Sequence, residues 1–219
     1  MKILALSDEV VDFIYSPRIK EQYADVDLVL GCGDLPFYYL EFIVTVLNVP
    51  LFYVAGNHDK PSQYLSDGRI ISRAEGCESL EGMAAVARAQ SPDGATGPRL
   101  LLAGLGGCLR YNQEPYHQYT QGETAGRALR LAPALMANRL RYGRYLDILV
   151  THAPPRGIHD GADQTHTGFE ALLRFMDVFK PRFLLHGHAH IYRRDTVTVT
   201  HYKATDVINV YPYRLIEYQ

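Results

Sequence analysis

The hydrophobic residues of this chain occur in short runs, and many of these runs end at a polar residue next to glycine or serine. Three runs in the first quarter have the length and the continuous apolar character of buried strands: residues 2–6, 27–31 and 51–55. A short helix is predicted between residues 10 and 25, and a longer helix is predicted from Pro36 to about Leu47. Strands that alternate with helices predict a sheet covered by helices.

The second half of the chain contains further strand-like segments, several of them rich in valine. Strands are predicted at residues 83–89, 99–103, 145–150, 182–185, 191–199, 206–211 and 213–218. One helix is expected over residues 122–142, where Pro133 should interrupt or kink it, and another is expected before Pro181. The last strands are expected to pair as an antiparallel set. No apolar stretch approaches the length of a membrane span.

Composition and charge limit the classes of function. The 219 residues are expected to form a single domain, 1–219, and a content of 47% hydrophobic and 21% charged residues is ordinary for a globular protein. The net charge of -2 gives no electrostatic footprint for nucleic acid or a membrane, so neither is expected as a partner. The three cysteines form no CxxC pair, and Met1 leads directly into the first strand. Both observations favour a reducing, cytoplasmic setting without a signal peptide.

Six polar residues stand at or just after the predicted strand ends: Asp8, Asp34, Asn57, His152, His188 and His190. Ligand sites of such sheets lie at the carboxyl ends of the strands, so we expect these side chains to meet. Carboxylate, carboxamide and imidazole donors without a thiolate suit Mn, Fe, Zn or Co better than a soft metal. Two such ions, bridged by one carboxylate, could bind a phosphate and generate a hydroxide near neutral pH.

Two further features leave alternatives open. Tyrosine is abundant, with 16 residues, many of them in loops after the first strands. These tyrosines either floor a pocket for an organic group or form an amphipathic rim of the core. The glycine-rich turn at residues 104–107 is expected to pass close to the site. Arg110 follows this turn and either holds a phosphate oxygen in bidentate fashion or is a surface arginine.

Four motifs occur along the chain in this order: Gly33-Asp34, Gly56-Asn57-His58-Asp59, Thr151-His152-Ala153-Pro154-Pro155 and Gly187-His188-Ala189-His190. Together, each at a predicted strand end, they resemble the calcineurin-like metallophosphoesterase family over nearly the whole chain. The segment from His152 through His190 is also similar to the small branch that includes the brain-expressed 239FB proteins. The resemblance implies an α/β (α+β) fold, a four-layer αββα double β-sandwich.

The resemblance also implies two divalent or trivalent metal ions, Mn, Fe or Zn, as cofactors. Asp34 would bridge the two ions. The other ligands would divide into two sets, one of Asn57, His152 and His188 and the other of Asp8 and His190.

A catalytic pair and a substrate site are implied as well. His58 would protonate or stabilise the leaving oxygen, and Asp59 would orient the ring of His58 and favour its imidazolium. Asn57, His58 and Arg110 would bind the substrate, a small phosphate ester. The implied reaction is hydrolysis of a phosphodiester or a phosphomonoester by attack of a metal-activated hydroxide.

The chain departs from the family in the first motif, which is Asp-x-His in the family and Asp8-Glu9-Val10 here. Valine cannot bind a metal, so the site of Asp8 and His190 is expected to be weak or empty unless another ligand joins it. The nearest substitutes are Glu9, Asp12 and His186. The two carboxylates could as easily be exposed on the loop, and the histidine is expected to point away, in a core or supporting role.

The same departure supports an alternative function, a low-turnover metal- or nucleotide-binding protein of the same fold with an impaired first metal site. The His58-Asp59 pair argues against it, because a binding protein needs no leaving-group acid. A nuclease is disfavoured because the charge balance indicates no basic face. Several loop residues after the third motif are expected to have a structural or rim role: His159, Asp160, Asp163 and His166.

Overall fold

Two β-sheets pack face to face in the computed structural model, which describes residues 1–64, 68–90, 96–113 and 116–218. The first sheet contains five strands, in the spatial order β15 (Tyr213–Glu217), β1 (Lys2–Leu6), β2 (Leu28–Cys32), β3 (Leu51–Val54) and β6 (Glu78–Ser79). The second contains six, in the order β13 (Val199–Tyr202), β14 (Thr205–Asn209), β12 (Phe183–His186), β11 (Ile148–Thr151), β8 (Thr96–Leu105) and β7 (Ala84–Gln90).

Two short ribbons and four helices complete the described fold. The ribbons pair β4 (Gln63–Tyr64) with β5 (Ile70–Ile71), and β9 (Cys108–Leu109) with β10 (Gln118–Tyr119). The helices are α1 (Ile19–Gln22), α2 (Phe37–Leu47), α3 (Gln121–Tyr142) and α4 (Glu170–Phe179). No helix in the described ranges is both long enough and apolar enough to cross a membrane.

The core side chains alternate between the two faces of each sheet. Along β1, Ile3 and Ala5 pack against side chains of the second sheet, whereas Leu4 and Leu6 pack against α1 and α2. Strands β11 and β12 alternate in the same way between the first sheet and helices α3 and α4. The layers are therefore helices, sheet, sheet and helices, which confirms the predicted αββα sandwich. Strands covered on both faces explain the continuous apolar runs of the sequence.

The carboxyl ends of the parallel strands meet at one edge of the sandwich. β1, β2 and β3 run parallel in the first sheet, as do β11 and β12 in the second. Backbone hydrogen bonds join the loops that leave these strands. The amide of Asp8 donates to the carbonyl of Gly33, at 3.1 Å, and the amide of Gly187 donates to the carbonyl of His152, at 3.0 Å.

Two predictions for the end of the chain were wrong. Residues 191–198 lie outside any strand, and β13 begins only at Val199, since most of the residues before it are exposed polar side chains. The final strands do not form one antiparallel set either. β14 pairs with β13 antiparallel but with β12 parallel, and β15 crosses to the first sheet, where it pairs with β1.

Helix α3 continues through Pro133 over 22 residues, so Pro133 does not interrupt the helix, which was one of the two expected effects. A proline removes one backbone hydrogen bond, but packing of the buried face can outweigh that loss. Leu131 and Leu135, on either side of the proline, are buried against the second sheet. The helix begins with a capping box between Thr120 and Glu123, a local signal that strengthens its N-terminus.

Candidate metal centre

Three of the expected ligands share an unusual backbone conformation. Asp8, Asp34 and His188 have φ values of 66°, 55° and 62°, in the left-handed region that residues other than glycine rarely adopt. Each stands two residues after the last residue of its strand, β1, β2 or β12. Such a conformation costs roughly 1–3 kcal/mol per residue and persists at sites where the surrounding structure enforces it. The strain therefore coincides with the place where ligands were expected.

The side chains of Asp8, Asp34 and His152 converge at this edge. Each offers one ligand atom, and these atoms all lie within 4.8 Å of one another. Nε2 of His152 lies 3.3 Å from Oδ2 of Asp34 and 3.0 Å from Oδ1 of Asn57. Nδ1 of His152 donates to the carbonyl oxygen of Cys32, at 2.8 Å, and a carbonyl can only accept. Nε2 is thus the nitrogen that is available to a metal.

His188 and His190 reach the same edge from β12. Nε2 of His188 donates to the carbonyl oxygen of Thr165, at 2.8 Å, which leaves Nδ1 as the atom able to bind a metal. Burial lowers the pKa of His188 to about 4, so the imidazole is neutral, as a ligand must be. Nε2 of His190 lies 3.4 Å from Oδ1 of Asp8. Its Nδ1 is hydrogen-bonded to the hydroxyl of Tyr192, at 3.0 Å.

The charges at the centre are arranged to hold a cation. Burial would raise the pKa of Asp34, but His152 and the backbone N–H of His58 lower it to about 2. Burial would lower the pKa of His152, but Asp34 and Asp8 raise it to about 10. An imidazolium therefore stands among carboxylate and carboxamide oxygens. A buried positive charge held by oxygen acceptors marks a place where a divalent first-row metal would replace the proton on Nε2.

These observations can be compared with known proteins. The sequence profile of the calcineurin-like phosphoesterases matches residues 1–192. The chain belongs to this family. The solved structure of TT1561 of Thermus thermophilus has a TM-score of 0.55 to this chain at 15% identity, with 95% of this chain and 88% of that chain covered. A second solved structure has a TM-score of 0.57 at 15% identity, with 95% and 90% covered. Such distant likeness shows the fold alone, and no curated protein matches the chain.

Asp59, the last residue of the motif at residues 56–59, has other hydrogen-bond partners than expected. Oδ2 of Asp59 accepts from the backbone amides of Asp34, at 2.9 Å, and Gly56, at 2.8 Å. Among the described residues, no hydrogen bond or ion pair joins this carboxylate to the ring of His58. Asp59 therefore holds the loop backbone rather than the imidazole, which corrects the predicted orienting role. Burial and the charge of Asp34 raise the pKa of Asp59 to about 7.

The role of His58 as a leaving-group acid stays a prediction, and the structure shows where its side chain and backbone lie. Its side chain is exposed, and its backbone N–H donates to Oδ1 of Asp34, at 2.7 Å. The neighbouring Asn57 is buried, and its Nδ2 donates to the hydroxyl of Tyr111, at 3.4 Å. His58 therefore faces solvent from a backbone that is tied directly to the metal centre.

The side chain of Arg110 is hydrogen-bonded to a glutamate in the first turn of α3. Its Nη2 donates to both carboxylate oxygens of Glu123, at 3.2 and 3.0 Å, and to the carbonyl of Gln118, at 3.2 Å. Glu123 is the same residue that caps α3. A contact between Arg110 and a phosphate stays a prediction, and it would require the guanidinium to leave Glu123.

Val10 contributes no donor to the centre. Its side chain packs against the hydrophobic cluster of α1, α2 and the first sheet. Glu9 is exposed, and its Oε2 accepts from the hydroxyl of Tyr211, at 2.9 Å. The ring of Tyr211 stacks on His190 with a centroid distance of 4.6 Å. Glu9, one of the residues suggested to replace the missing histidine, is thus linked to His190 through the ring of Tyr211. Asp12, another of them, is exposed.

A partly buried pair, Glu81 and Arg127, which braces the loop after β3, was missed from the sequence. Oε2 of Glu81 accepts from the amides of Ala55, at 3.3 Å, and Gly106, at 3.2 Å. Arg127 forms an ion pair with Oε1 of Glu81 and donates to the carbonyl of Gly106, at 3.0 Å. Its guanidinium also lies 3.8 Å from the ring centroid of Tyr119. The sequence signalled only that the glycine-rich turn at residues 104–107 passes close to the site. Glu81 and Arg127 are far apart in sequence, so their pairing had no local signal.

His186 supports the last motif instead of binding a metal. Its Nδ1 must carry a proton, because it lies 2.9 Å from the carbonyl oxygen of Gly187. Its Nε2 therefore accepts from Nδ1 of His159, at 2.9 Å, and Nε2 of His159 accepts from the hydroxyl of Thr200, at 2.9 Å. This chain of neutral groups connects β13 to the turn that positions His188. The expected supporting roles of His186 and His159 agree with these contacts.

Acid should destabilise the apo protein through His186. Burial lowers the pKa of His186 to about 3, whereas an unfolded histidine has a pKa of about 6.5. The unfolded chain therefore binds a proton below pH 6.5 that the folded chain does not. The contribution of His186 to the free energy of unfolding is complete above pH 6.5. It decreases toward pH 3 by up to about 1.4 kcal/mol per pH unit. We expect His186→Gln to remove this contribution from the pH dependence of the free energy of unfolding.

The measurement is urea unfolding in EDTA between pH 7 and pH 5. His201→Gln is the matched control, because the side chain of His201 is 71% exposed. An unchanged pH slope in His186→Gln would show that this histidine is not held neutral in the fold.

Proposed function

We propose that the protein is a metal-dependent phosphoesterase that hydrolyses a small phosphodiester or phosphomonoester. The observation that carries the proposal is the convergence of Asp8, Asp34 and His152 within 4.8 Å in a chain of the calcineurin-like phosphoesterase family. Two ions of Mn, Fe or Zn would be held by the six side chains at this edge: Asp8, Asp34, Asn57, His152, His188 and His190. Bound ions of this kind lower the pKa of water and neutralise charge on phosphoryl oxygens.

The residues of the chain have separate tasks in this proposal. Asp34 would bridge the two ions; its Oδ2 lies near His152, and its Oδ1 accepts from the amide of His58. Asp59 fixes that backbone through its two amide hydrogen bonds. His58 would donate a proton to the leaving oxygen, a contribution of roughly 10²–10⁴-fold in rate.

The Asp8 half of the centre is proposed to bind its ion more weakly. It contains Asp8 and His190 but no donor from Val10, which packs into an apolar cluster. The same observation supports the alternative function, a metal- or nucleotide-binding protein with low turnover. Small phosphate esters remain the proposed ligands in both cases, and three free cysteines support a cytoplasmic setting.

Hydrolysis of bis-p-nitrophenyl phosphate and p-nitrophenyl phosphate with Mn²⁺, Zn²⁺ or Fe²⁺ tests the function. We expect turnover of at least one ester with metal and none after chelation. His58→Asn should lower kcat roughly 10²–10⁴-fold while the metal content is unchanged. His201→Asn is the matched control, because the side chain of His201 is 71% exposed and pairs with Asp206. Binding of metal and phosphate without hydrolysis would instead support the alternative function.

A further inference from the structure

A cavity of about 540 Å³ opens beside His58, and the reaction proposed above assigns no role to Lys60, Tyr64 or Tyr116 in its lining. Its lining includes Asn57, His58, Lys60, Ser62, Tyr64 and Tyr116. This volume is within the range of small-molecule sites and is larger than a phosphate needs. Because His58 lies at its edge, the cavity is on the side where the proposed leaving group would depart.

Two tyrosine side chains from separate parts of the chain line this cavity. Tyr64 is on β4, where it pairs with Ile70 of β5, and its side chain is 78% exposed. Tyr116 stands two residues before β10 and is 52% exposed. Within the described ranges, neither ring contacts another aromatic ring. Both side chains line the cavity, and their rings are free of other aromatic rings in these ranges, so they are available for stacking with a planar aromatic group.

Lys60 adds a positive charge to the same place. It lines the large cavity and also a neighbouring cavity of about 280 Å³ that reaches Asp34 and His58. Across the described part of the chain, Lys60 makes no ion pair with an acidic residue. An unpaired ammonium group next to a phosphate-ester site favours a ligand with negative charge beyond the reacting phosphate.

We propose that the leaving group of the substrate is a planar aromatic group with an additional negative charge, bound by Tyr64, Tyr116 and Lys60. This inference rests on the proposed phosphoesterase function and names the class of substrate for that site. Tyr64 and Tyr116 are accordingly residues of a ligand pocket and not an amphipathic rim of the core. His58, at the edge of the same cavity, would protonate the oxygen that links this group to phosphorus.

Non-hydrolysable phosphonates can test the aromatic part without chemistry. Benzylphosphonate replaces the bridging oxygen of an aryl phosphate with a methylene, and ethylphosphonate is the matched aliphatic ligand of equal charge. Calorimetric titration of the Mn²⁺-loaded protein should give roughly tenfold tighter binding of benzylphosphonate, as expected for stacking on tyrosine. Tyr64→Leu and Tyr116→Leu should each remove most of this preference while the affinity for ethylphosphonate stays unchanged.

Lys60 is tested with 4-carboxybenzylphosphonate, which adds one negative charge to the aromatic ring. The native protein should bind it several-fold more tightly than benzylphosphonate, and Lys60→Met should abolish that difference. Tyr38→Leu is the matched control, because Tyr38 is an exposed residue of α2 whose ring contacts Tyr15. Its ligand preferences should equal those of the native protein.

The outcomes separate this inference from the proposed function. If benzylphosphonate and ethylphosphonate bind equally, or if the tyrosine variants weaken both ligands alike, the aromatic pocket is wrong while phosphoesterase activity can stand. If neither phosphonate binds and no ester is hydrolysed, the proposed function fails and this inference fails with it. Melting temperatures of the variants, expected to equal that of the native protein, show whether each variant is folded.

Discussion

Asp34→Asn is expected to abolish tight metal binding and to lower kcat/KM roughly a thousand-fold, which corresponds to about 4 kcal/mol. Asparagine preserves the size of the side chain and can still accept the backbone N–H of His58 through Oδ1. It removes the negative charge that keeps Oδ2 next to His152 and that would neutralise a bound cation. The expected loss is therefore electrostatic, with little change in the shape of the centre.

The measurements are the metal content after desalting, by elemental analysis, and kcat/KM for the better nitrophenyl ester. Asp25→Asn is the matched control, because Asp25 is an exposed carboxylate that pairs with Lys2. It should retain the metal and the activity. If Asp34→Asn retained both, the centre described above would not be the metal site.

Arg127→Met is expected to destabilise the protein by about 3–5 kcal/mol, the usual cost of removing one partner from a buried ion pair. The side chains of Arg127 and Glu81 are only 12% and 25% exposed. Burial lowers the pKa of Arg127 to about 10, so the guanidinium is still charged at neutral pH. Methionine would fill much of the space but would leave the carboxylate of Glu81 without its cation.

Thermal unfolding should show this effect as a fall in Tm of roughly 6–20 °C for a chain of this size. The double variant Glu81→Gln with Arg127→Met should recover part of the loss, because no buried charge is then unpaired. Arg130→Met is the control on the same helix, where Arg130 is exposed, and its Tm should change little. Additive effects of the two single substitutions would contradict a direct ion pair.

The effect of Arg127→Met should extend to the metal centre. Glu81 accepts the amide of Ala55, which immediately precedes the loop that carries Asn57 and His58. Loss of the brace should therefore weaken metal binding as well as stability. This coupling could not be predicted from the sequence, because Glu81 and Arg127 are 46 residues apart and neither belongs to a recognisable motif.

The hydrogen-bond partners of individual side chains were predicted less well than the motifs to which these residues belong or lie close. Asp59 follows His58 directly, so pairing of the two side chains was a reasonable expectation. In the fold, the tight loop presents the amides of Asp34 and Gly56 to the carboxylate of Asp59 instead. The partner of Arg110 had no local signal either, because its guanidinium is bound to Glu123, 13 residues further along the chain.

The hydrophobic pattern of the sequence determined strands covered by helices and the edge at which the expected metal ligands meet, and the resemblance of the four motifs implied the two-sheet sandwich. Apolar runs of strand length ending at Asp8, Asp34 or His152 are local signals, and parallel strands bring such ends together. The tertiary structure alone decided the partners of the last strands, the Glu81–Arg127 brace, the His159–His186 chain and the cavity lined by Tyr64 and Tyr116. These features depend on side-chain directions and on contacts between distant segments, which leave no periodic pattern in the chain.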